Sequence, residues 1–373
     1  MMPTHRPSLA DEELSAIKDV FETRWLGKGT VTEKFEEQLC RHLGTKHVLC
    51  VNSGTAALQL AIECLELDPG FEVLVPSLTF PATIQAIVMA GGKPIFTEIE
   101  PTTLNIDIED AKSRLTSNCR VIMPVHYAGQ ACDMDKVLDL AQENNLFVVE
   151  DAAQAFGSAY KGRPVGTLGD LTCFSFDPIK NITCGGGGAV ATDNDELAAR
   201  IIPIRNIGID KDSWLRRKQS STWKYEVVSH GYRYLMSNIN AAIGCEQLKK
   251  IAAFKDRKLS IVKRYNDAFS ETAEITIPQL NLDETFPFSY VIRVISSQRG
   301  DLITHLKKNG IDTAVQFTPN HLQPAFEQYH TDLPTTESLY SEILTIPLYY
   351  EMTDSDVDKV IDSTRGYFHA LRQ

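Results

Sequence analysis

The sequence predicts an α/β protein: a mostly parallel central sheet covered by helices on both faces, followed by a smaller C-terminal α+β domain. Three observations carry this expectation. From Leu14 to about Ile311, short β-rich runs alternate with helical-period stretches, as the crossover units of a parallel sheet require. After the helix-like INAAIGCEQLKKI at 239–251 the alternation gives way to a long Lys-rich helix, a β run and a further helix. A chain of 373 residues is also longer than one small core organises. The division expected is a large domain at 1–250 and a small one at 251–373.

The elements follow in order. Apolar residues recur at helical spacing over Asp11 to Thr23, Thr32 to Leu43, Thr55 to Leu67, Phe80 to Ala90, Asp133 to Asn144 and Asp195 to Ile202. Between them lie VLVP (73–76), PIFTEI (94–99), RVIMPV (120–125), LFVVED (146–151), LTCFSF (171–176) and GAVAT (188–192), read as strands. In the C-terminal part, FSYVIRVI (288–295) reads as a strand and Asp301 to Lys308 as a helix. Neither a repeat nor a low-complexity tract interrupts the pattern, so the two parts are expected to pack tightly.

Composition narrows the function classes. Lys plus Arg number 37 against 49 Asp plus Glu, a net charge of −12 at pH 7, which argues against a protein that grips nucleic acid phosphates. Any anionic ligand must be held locally. No run reaches the roughly 18 to 20 apolar residues of a membrane helix. The opening MMPTHRPSLADEEL lacks the positive-then-apolar order of a secretory signal, so the expected address is the cytoplasm. Eight scattered cysteines form no C-x-x-C pair, which fits neither a disulfide framework nor structural zinc.

Three stretches can carry chemistry. NSGTAAL (52–58) ends a strand and opens a helix at Ser-Gly-Thr, which is either an ordinary N-cap or an anion cradle of exposed N–H groups. In VVEDAAQAFG (148–157), Asp151 ends an apolar strand; there it either caps a helix or meets a buried cation. In LTCFSFDPIKNITCGGGG, Lys180 follows a strand whose end carries Ser175, and the glycines at 185–188 let the backbone pass close to something bulky or form a simple loop. A surface lysine is the plain alternative for Lys180 alone. Together the three describe one ligand, with a phosphate at one end, a protonated ring nitrogen, and an aldehyde awaiting an amine. That ligand is pyridoxal phosphate.

Nearly the whole chain also resembles the sugar aminotransferases named for their DegT, DnrJ, EryC and StrS members, a branch of the fold-type-I pyridoxal phosphate enzymes. The matching stretches are WLGKGTVTEKFE (25–36), NSGTAAL, PSLTFPAT (76–83), VHYAGQACDMD (125–135), VVEDAAQAFG, SFDPIKNIT (175–183), GYRYLMSNINAAIG (231–244) and HLQP (321–324). Their number, order and spacing carry the resemblance; no single one does.

The resemblance implies that Lys180 forms a Schiff base with the cofactor and then shuttles protons, and that Asp151 keeps the pyridinium nitrogen protonated. By the same resemblance Gln154 reaches the ring hydroxyl, Phe80 lies against the ring, and Gly54, Thr55 and Ser175 hold the phosphate. His126, Tyr127 and His321 fall in stretches that line or approach the substrate pocket. Arg233 stands where the family commonly has Asn, a residue that reaches the phosphate of the neighbouring subunit; this implies a homodimer with shared active sites. Gly186 stands where many members carry Glu, and Ile207 replaces the His of an N-H-G pattern, so the amino-donor side departs from the family.

The implied reaction moves an amino group from an amino acid, glutamate elsewhere in the family, to a nucleotide-linked keto-sugar in amino-sugar and surface polysaccharide biosynthesis. VHYAGQ together with the basic residue in GYRY resembles members that aminate 4-keto-6-deoxy sugars; amination at carbon 3 is the alternative. A dehydratase branch replaces the lysine with histidine, against which Lys180 speaks. A non-catalytic paralogue and a cofactor-free two-domain binding protein remain the other readings.

Overall fold

A computed structural model describes residues 1–211, 214 and 224–372. The strands are β1 (His47–Val51), β2 (Glu72–Pro76), β3 (Lys93–Thr97), β4 (Cys119–Ile122), β5 (Phe147–Asp151), β6 (Ala159–Tyr160), β7 (Arg163–Pro164), β8 (Leu171–Ser175), β9 (Gly188–Thr192), β10 (Ile275–Thr276), β11 (Tyr290–Val294) and β12 (Ile343–Ile346). Seven of them form one sheet in the order β1-β9-β8-β5-β4-β2-β3. Neighbours run parallel except at β9, which is antiparallel to both β1 and β8. The crossover helices include Gly54–Glu63, Pro81–Met89 and Met134–Asn144.

Side-chain alternation along the strands divides the sheet into two faces. Val149 of β5, Leu171 and Cys173 of β8 and Val73 and Val75 of β2 share a core with the helices Gly54–Glu63 and Pro81–Met89. Val148, Leu74 and Ile122 point the other way, into a core with Val137, Leu140 and Ala141 of the helix Met134–Asn144. Asp151 and Ser175 continue the first register, so both strands deliver a polar side chain at their carboxyl ends on the face of the helix Gly54–Glu63. Open parallel sheets gather ligands at that end.

The C-terminal part builds its own three-stranded antiparallel sheet, β10-β11-β12. The helix Asp354–Leu371 packs against both Ser296–Lys308 and the helix Asn238–Phe269, around a core that includes Tyr265, Phe269, Tyr290 and Phe368. Among the described residues no helix is long and apolar enough to cross a membrane.

The structure differs from the sequence expectation in several places, β1, the helix Ile108–Ser113 and the short strands β6, β7, β10 and β12 among them. A single 32-residue helix, Asn238–Phe269, about 48 Å long at 1.5 Å per residue, crosses position 250 without interruption, so the expected boundary falls inside an element. The N-terminal residues belong with the second part: Met2 bridges to Ile311 and the Leu348 N–H donates to the Thr4 carbonyl at 2.9 Å. The helix expected to reach Leu67 ends at Glu63, and Glu66 takes a left-handed φ of 53° in the turn that follows. The helices Pro334–Glu342 and Asp354–Leu371 complete the C-terminal part beyond the elements read from sequence.

Candidate active site

Extended backbone at Ser53 opens the helix Gly54–Glu63, and its Oγ accepts from the Ala56 N–H at 3.1 Å. The N–H groups of Gly54 and Thr55 precede the first intrahelical bond, from Ala57 N–H to Ser53 O, and both residues line the cleft at the positive end of the helix. Glycine is required at 54 by close packing, since a Cβ there would stand 2.8 Å from Ser175 Cβ. The helix start is thereby set directly against the end of β8.

The glycine run answers to backbone geometry more than to the ligand. Gly185 and Gly186 have φ of 71° and 149°, and a Cβ on Gly188 would fall 2.5 Å from the Ser53 carbonyl oxygen. A Cβ on Gly187 would meet Met236 at 2.6 Å. Only Gly186 and Gly187 line the cleft, so crowding of the ligand explains half of the run at most.

Asp151 is 5% exposed. Its Oδ2 accepts from Thr83 Oγ1 at 2.6 Å and its Oδ1 from the Ala153 N–H at 3.1 Å. Thr83 is oriented in turn by Thr79, 2.9 Å between hydroxyls. The Gln154 Oε1 accepts from the Ala128 N–H at 2.8 Å, which fixes the amide and leaves its Nε2 as the end that can donate to a ligand.

Lys180 closes a turn after β8, its N–H donating to the Asp177 carbonyl at 3.0 Å. Its Nζ stands 4.4 Å from the centroid of the Phe288 ring. Burial drives its pKa down from 10.5 to about 8, against the opposing pull of the Asp151 and Asp177 carboxylates. At pH 7 about one amine in ten is then uncharged, against roughly one in 2,500 for an ordinary lysine. The amine is a usable nucleophile and base near neutral pH.

These groups meet in one cleft of about 240 Å³. The small domain contributes Phe288, Gln316 and Phe317, and Phe317 meets Phe80 edge-on with centroids 5.6 Å apart. Phe80 is 55% exposed, an aromatic face open to the cleft. Sequence reasoning did not find Thr83, Asp177, Phe288, Gln316 or Phe317. Thr83 lies in the quoted PSLTFPAT and Asp177 in SFDPIK, so a signal existed for both; the small-domain residues arrive only through long-range packing.

Four expected residues are placed elsewhere. His126 is fully buried, with Nε2 2.8 Å from Glu150 Oε2, and Glu150 leaves β5 on the face opposite to Asp151. The Cys132 N–H donates to His126 Nδ1 at 3.1 Å, so Nδ1 is an acceptor and Nε2 is the end that donates to Glu150. Tyr127 is buried with its hydroxyl donating to the Gln316 carbonyl. His321 is buried, bonded through Nδ1 to Ser77 Oγ at 2.7 Å, and borders a different recess with His330 and Glu327. In this chain, then, His126, Tyr127 and His321 support the walls of the fold and do not line the cleft. Arg233 is exposed, donates to Asn206 Oδ1 at 2.9 Å, and lies outside the cleft of its own chain.

A carboxylate, a buried lysine of lowered pKa and a helix N-terminus at the carboxyl ends of parallel strands define the site of a pyridoxal-phosphate enzyme. The chain belongs to the DegT/DnrJ/EryC1/StrS aminotransferase family, whose model matches residues 7–365. It is 37% identical to the spore coat polysaccharide biosynthesis protein SpsC of Bacillus subtilis (strain 168), over 98% of this chain and 96% of that one. Among solved structures it is similar to the putative sugar aminotransferase Spr1654 of Streptococcus pneumoniae in its PMP form, with a TM-score of 0.94, 28% identity and full coverage of both chains (100% each). It is also similar to Helicobacter pylori PseC, an aminotransferase involved in the biosynthesis of pseudoaminic acid, with a TM-score of 0.92, 25% identity and 99% of each chain covered. Spr1654 has also been solved in a PLP form. The protein is a pyridoxal-phosphate-dependent aminotransferase, and the cleft fits that group: a helix start with donors for a phosphate, the Asp151 carboxylate and the Lys180 amine against the Phe288 ring line it together.

Proposed function

We propose that this aminotransferase moves an amino group from glutamate to a nucleotide-linked 4-keto-6-deoxyhexose, as a cytoplasmic homodimer. The observation that supports it most is the meeting of Asp151, Lys180 and the Gly54–Thr55 helix start in one cleft with an aromatic rim. Relatives named for polysaccharide and pseudoaminic acid biosynthesis favour a sugar acceptor.

When bound, pyridoxal phosphate supplies an electron sink for the carbon that loses its proton. The N–H groups of Gly54 and Thr55, with the hydroxyls of Thr55 and Ser175, would hold the phosphate. Asp151, kept in place by Thr83 and the Ala153 N–H, would hold a proton at the ring nitrogen. Gln154 would donate to the ring hydroxyl through Nε2, and Phe80 would lie against the ring. Lys180 would be the point of attachment and, when free, the base and acid that moves the proton.

The experiment that tests the substrate is incubation with glutamate and a panel of nucleotide-linked 3-keto and 4-keto sugars, with the new amine located by NMR. Amination at carbon 4 is expected. Amination at carbon 3 alone would sink the choice of sugar and leave the cofactor chemistry standing.

The dimer rests on Arg233, exposed and outside its own cleft, and on the exposed apolar side chains of Phe21, Leu26 and Ile207. Arginine meets phosphate oxygens with a planar fork. Arg233→Ala is expected to weaken cofactor retention about tenfold or more, read by equilibrium dialysis. Mixing Arg233→Ala with Lys180→Ala subunits should restore activity, because one hybrid site carries both native residues. No recovery in verified heterodimers would place Arg233 in its own subunit's site.

A further inference from the structure

The buried stripe of the helix Asn238–Phe269 runs Phe254, Lys258, Ile261, Val262, Tyr265, Phe269. Lys258 sits on it at the helical spacing of a core residue. Lys255, Arg257, Lys263 and Arg264, its cationic neighbours along the helix, are less buried. A lysine on a core stripe is unfavourable unless something holds its amine.

Among the described residues nothing acidic does. Its Nζ donates to Asn181 Oδ1 at 2.9 Å and approaches the Phe288 carbonyl oxygen at 3.5 Å. Asn181 follows Lys180 directly in the chain, and its Nδ2 donates to the Phe286 carbonyl at 3.1 Å, which settles the orientation of the amide. Lys258 and Lys180 both face the ring of Phe288, 6.0 Å and 4.4 Å from its centroid. A small recess that Lys180 shares with the cleft has His5, Arg6, Lys180, Lys258, Tyr349 and Tyr350 as its ionisable lining, with no carboxylate among them. His5 is stacked on Phe288 at 4.7 Å and is neutral, its pKa driven down to about 3 by burial and by the two lysines. The carboxylates that act on Lys180, Asp151 and Asp177, stand on the cleft side.

We propose that Lys258 is a positioning residue for Lys180: its amine anchors the Asn181 carboxamide against the small-domain segment Phe286–Phe288 and so fixes the main chain from which Lys180 reaches the cofactor. This rests on the reading that Lys180 attaches the cofactor. The anchor ties three pieces that are distant in sequence, the loop after β8, the entry to β11 and the helix that joins the two domains. The Phe288 ring against which Lys180 lies is carried on the anchored segment, so the reach of the nucleophile and the seating of the small domain are set by one contact.

The energetics point the same way. Burial, with the nearby Lys180, drives the Lys258 pKa from 10.5 to about 7. A lysine whose pKa falls on folding binds fewer protons folded than unfolded, so it lowers stability below its unfolded pKa, and the loss fades as pH rises toward about 10.4. A group that burdens the fold at neutral pH beside a reactive lysine is more readily explained by the site than by stability.

The test uses the full chain freed of cofactor. Pyridoxal phosphate is added, attachment is followed by visible absorbance, and the product is trapped with borohydride and located by peptide mass. Wild type should be trapped at Lys180; trapping at another lysine would overturn the reading of Lys180 and this inference with it. Lys258→Met should slow attachment about tenfold or more, since small misplacements of a reacting group have effects of that size. Its melting temperature should be no lower than wild type at pH 7, whereas a structural role would lower both together. Asn181→Ala should slow attachment to a similar degree, and the double variant should be no slower than the worse single one, because both changes remove one contact. Attachment by Lys258→Met within about twofold of wild type, or losses that multiply in the double variant, would overturn the proposal. Should Lys258→Met not fold, Asn181→Ala alone decides: slowed attachment supports the anchor and an unchanged rate overturns it.

Discussion

Lys180→Ala is expected to abolish transamination while the protein still folds and melts near the wild-type temperature. Among the described residues that line the cleft Lys180 is the one lysine, and burial has already brought its pKa to about 8. Truncation to Cβ removes attachment of the cofactor and the proton shuttle together. The expected loss is roughly 10³-fold or more in kcat, about 4 kcal/mol of transition-state stabilisation. The side chain contributes little to folding, because its amine is held by a ring face at 4.4 Å and its main-chain bond to Asp177 survives the change. Single-turnover kinetics with the aminated cofactor checks it. A variant that converts keto-sugar near the wild-type rate would remove Lys180 from the mechanism.

How much of this was legible beforehand depended on whether a residue's role is local. The ends of β5 and β8 show in the sequence as apolar runs closed by a polar residue, and a parallel sheet places such ends together, so Asp151, Ser175 and Lys180 could be grouped before any coordinates. The Ser53 cap could also be read, since Ser-Gly-Thr ahead of an Ala- and Leu-rich run is a local signal. His126 could not be placed in this way. Its position depends on Glu150 and Asp151 leaving one strand on opposite faces, and on which face the turn after β4 turns to.

Lys258 is a different case. Its signal was present as a lysine at core spacing after Phe254, but in a helix rich in Lys and Arg a single inward-facing cation is hidden until the stripe is fixed by packing. Phe288, Gln316 and Phe317 come from loops of the second domain and reach the cleft only through the tertiary fold. The boundary expected at 250 lies inside the helix Asn238–Phe269, and a connecting helix with residues in both cores leaves no composition shift where the cores divide.

Asp151→Asn is expected to leave the cofactor bound and the fold intact while reducing kcat by about two to four orders of magnitude. The substitution preserves shape, and one amide oxygen can still accept either from Thr83 Oγ1, now 2.6 Å from Oδ2, or from the Ala153 N–H, 3.1 Å from Oδ1. What it removes is the charge. A neutral amide cannot favour a protonated ring nitrogen as a carboxylate does, so the ring withdraws fewer electrons at the step where the donor carbon gives up its proton. The same charge raises the pKa of Lys180 against the effect of burial. Without it the lysine amine should lose its proton at lower pH than about 8, so the acid limb of the rate profile governed by the free amine should move down while the plateau falls. The two effects separate Asp151 from a residue that merely supports the cleft, because a packing defect would lower the plateau without moving the limb in that direction. Steady-state rates between pH 6 and about 10, with the absorbance of the bound cofactor recorded at each point, would show both. A plateau equal to wild type would remove Asp151 from the chemistry.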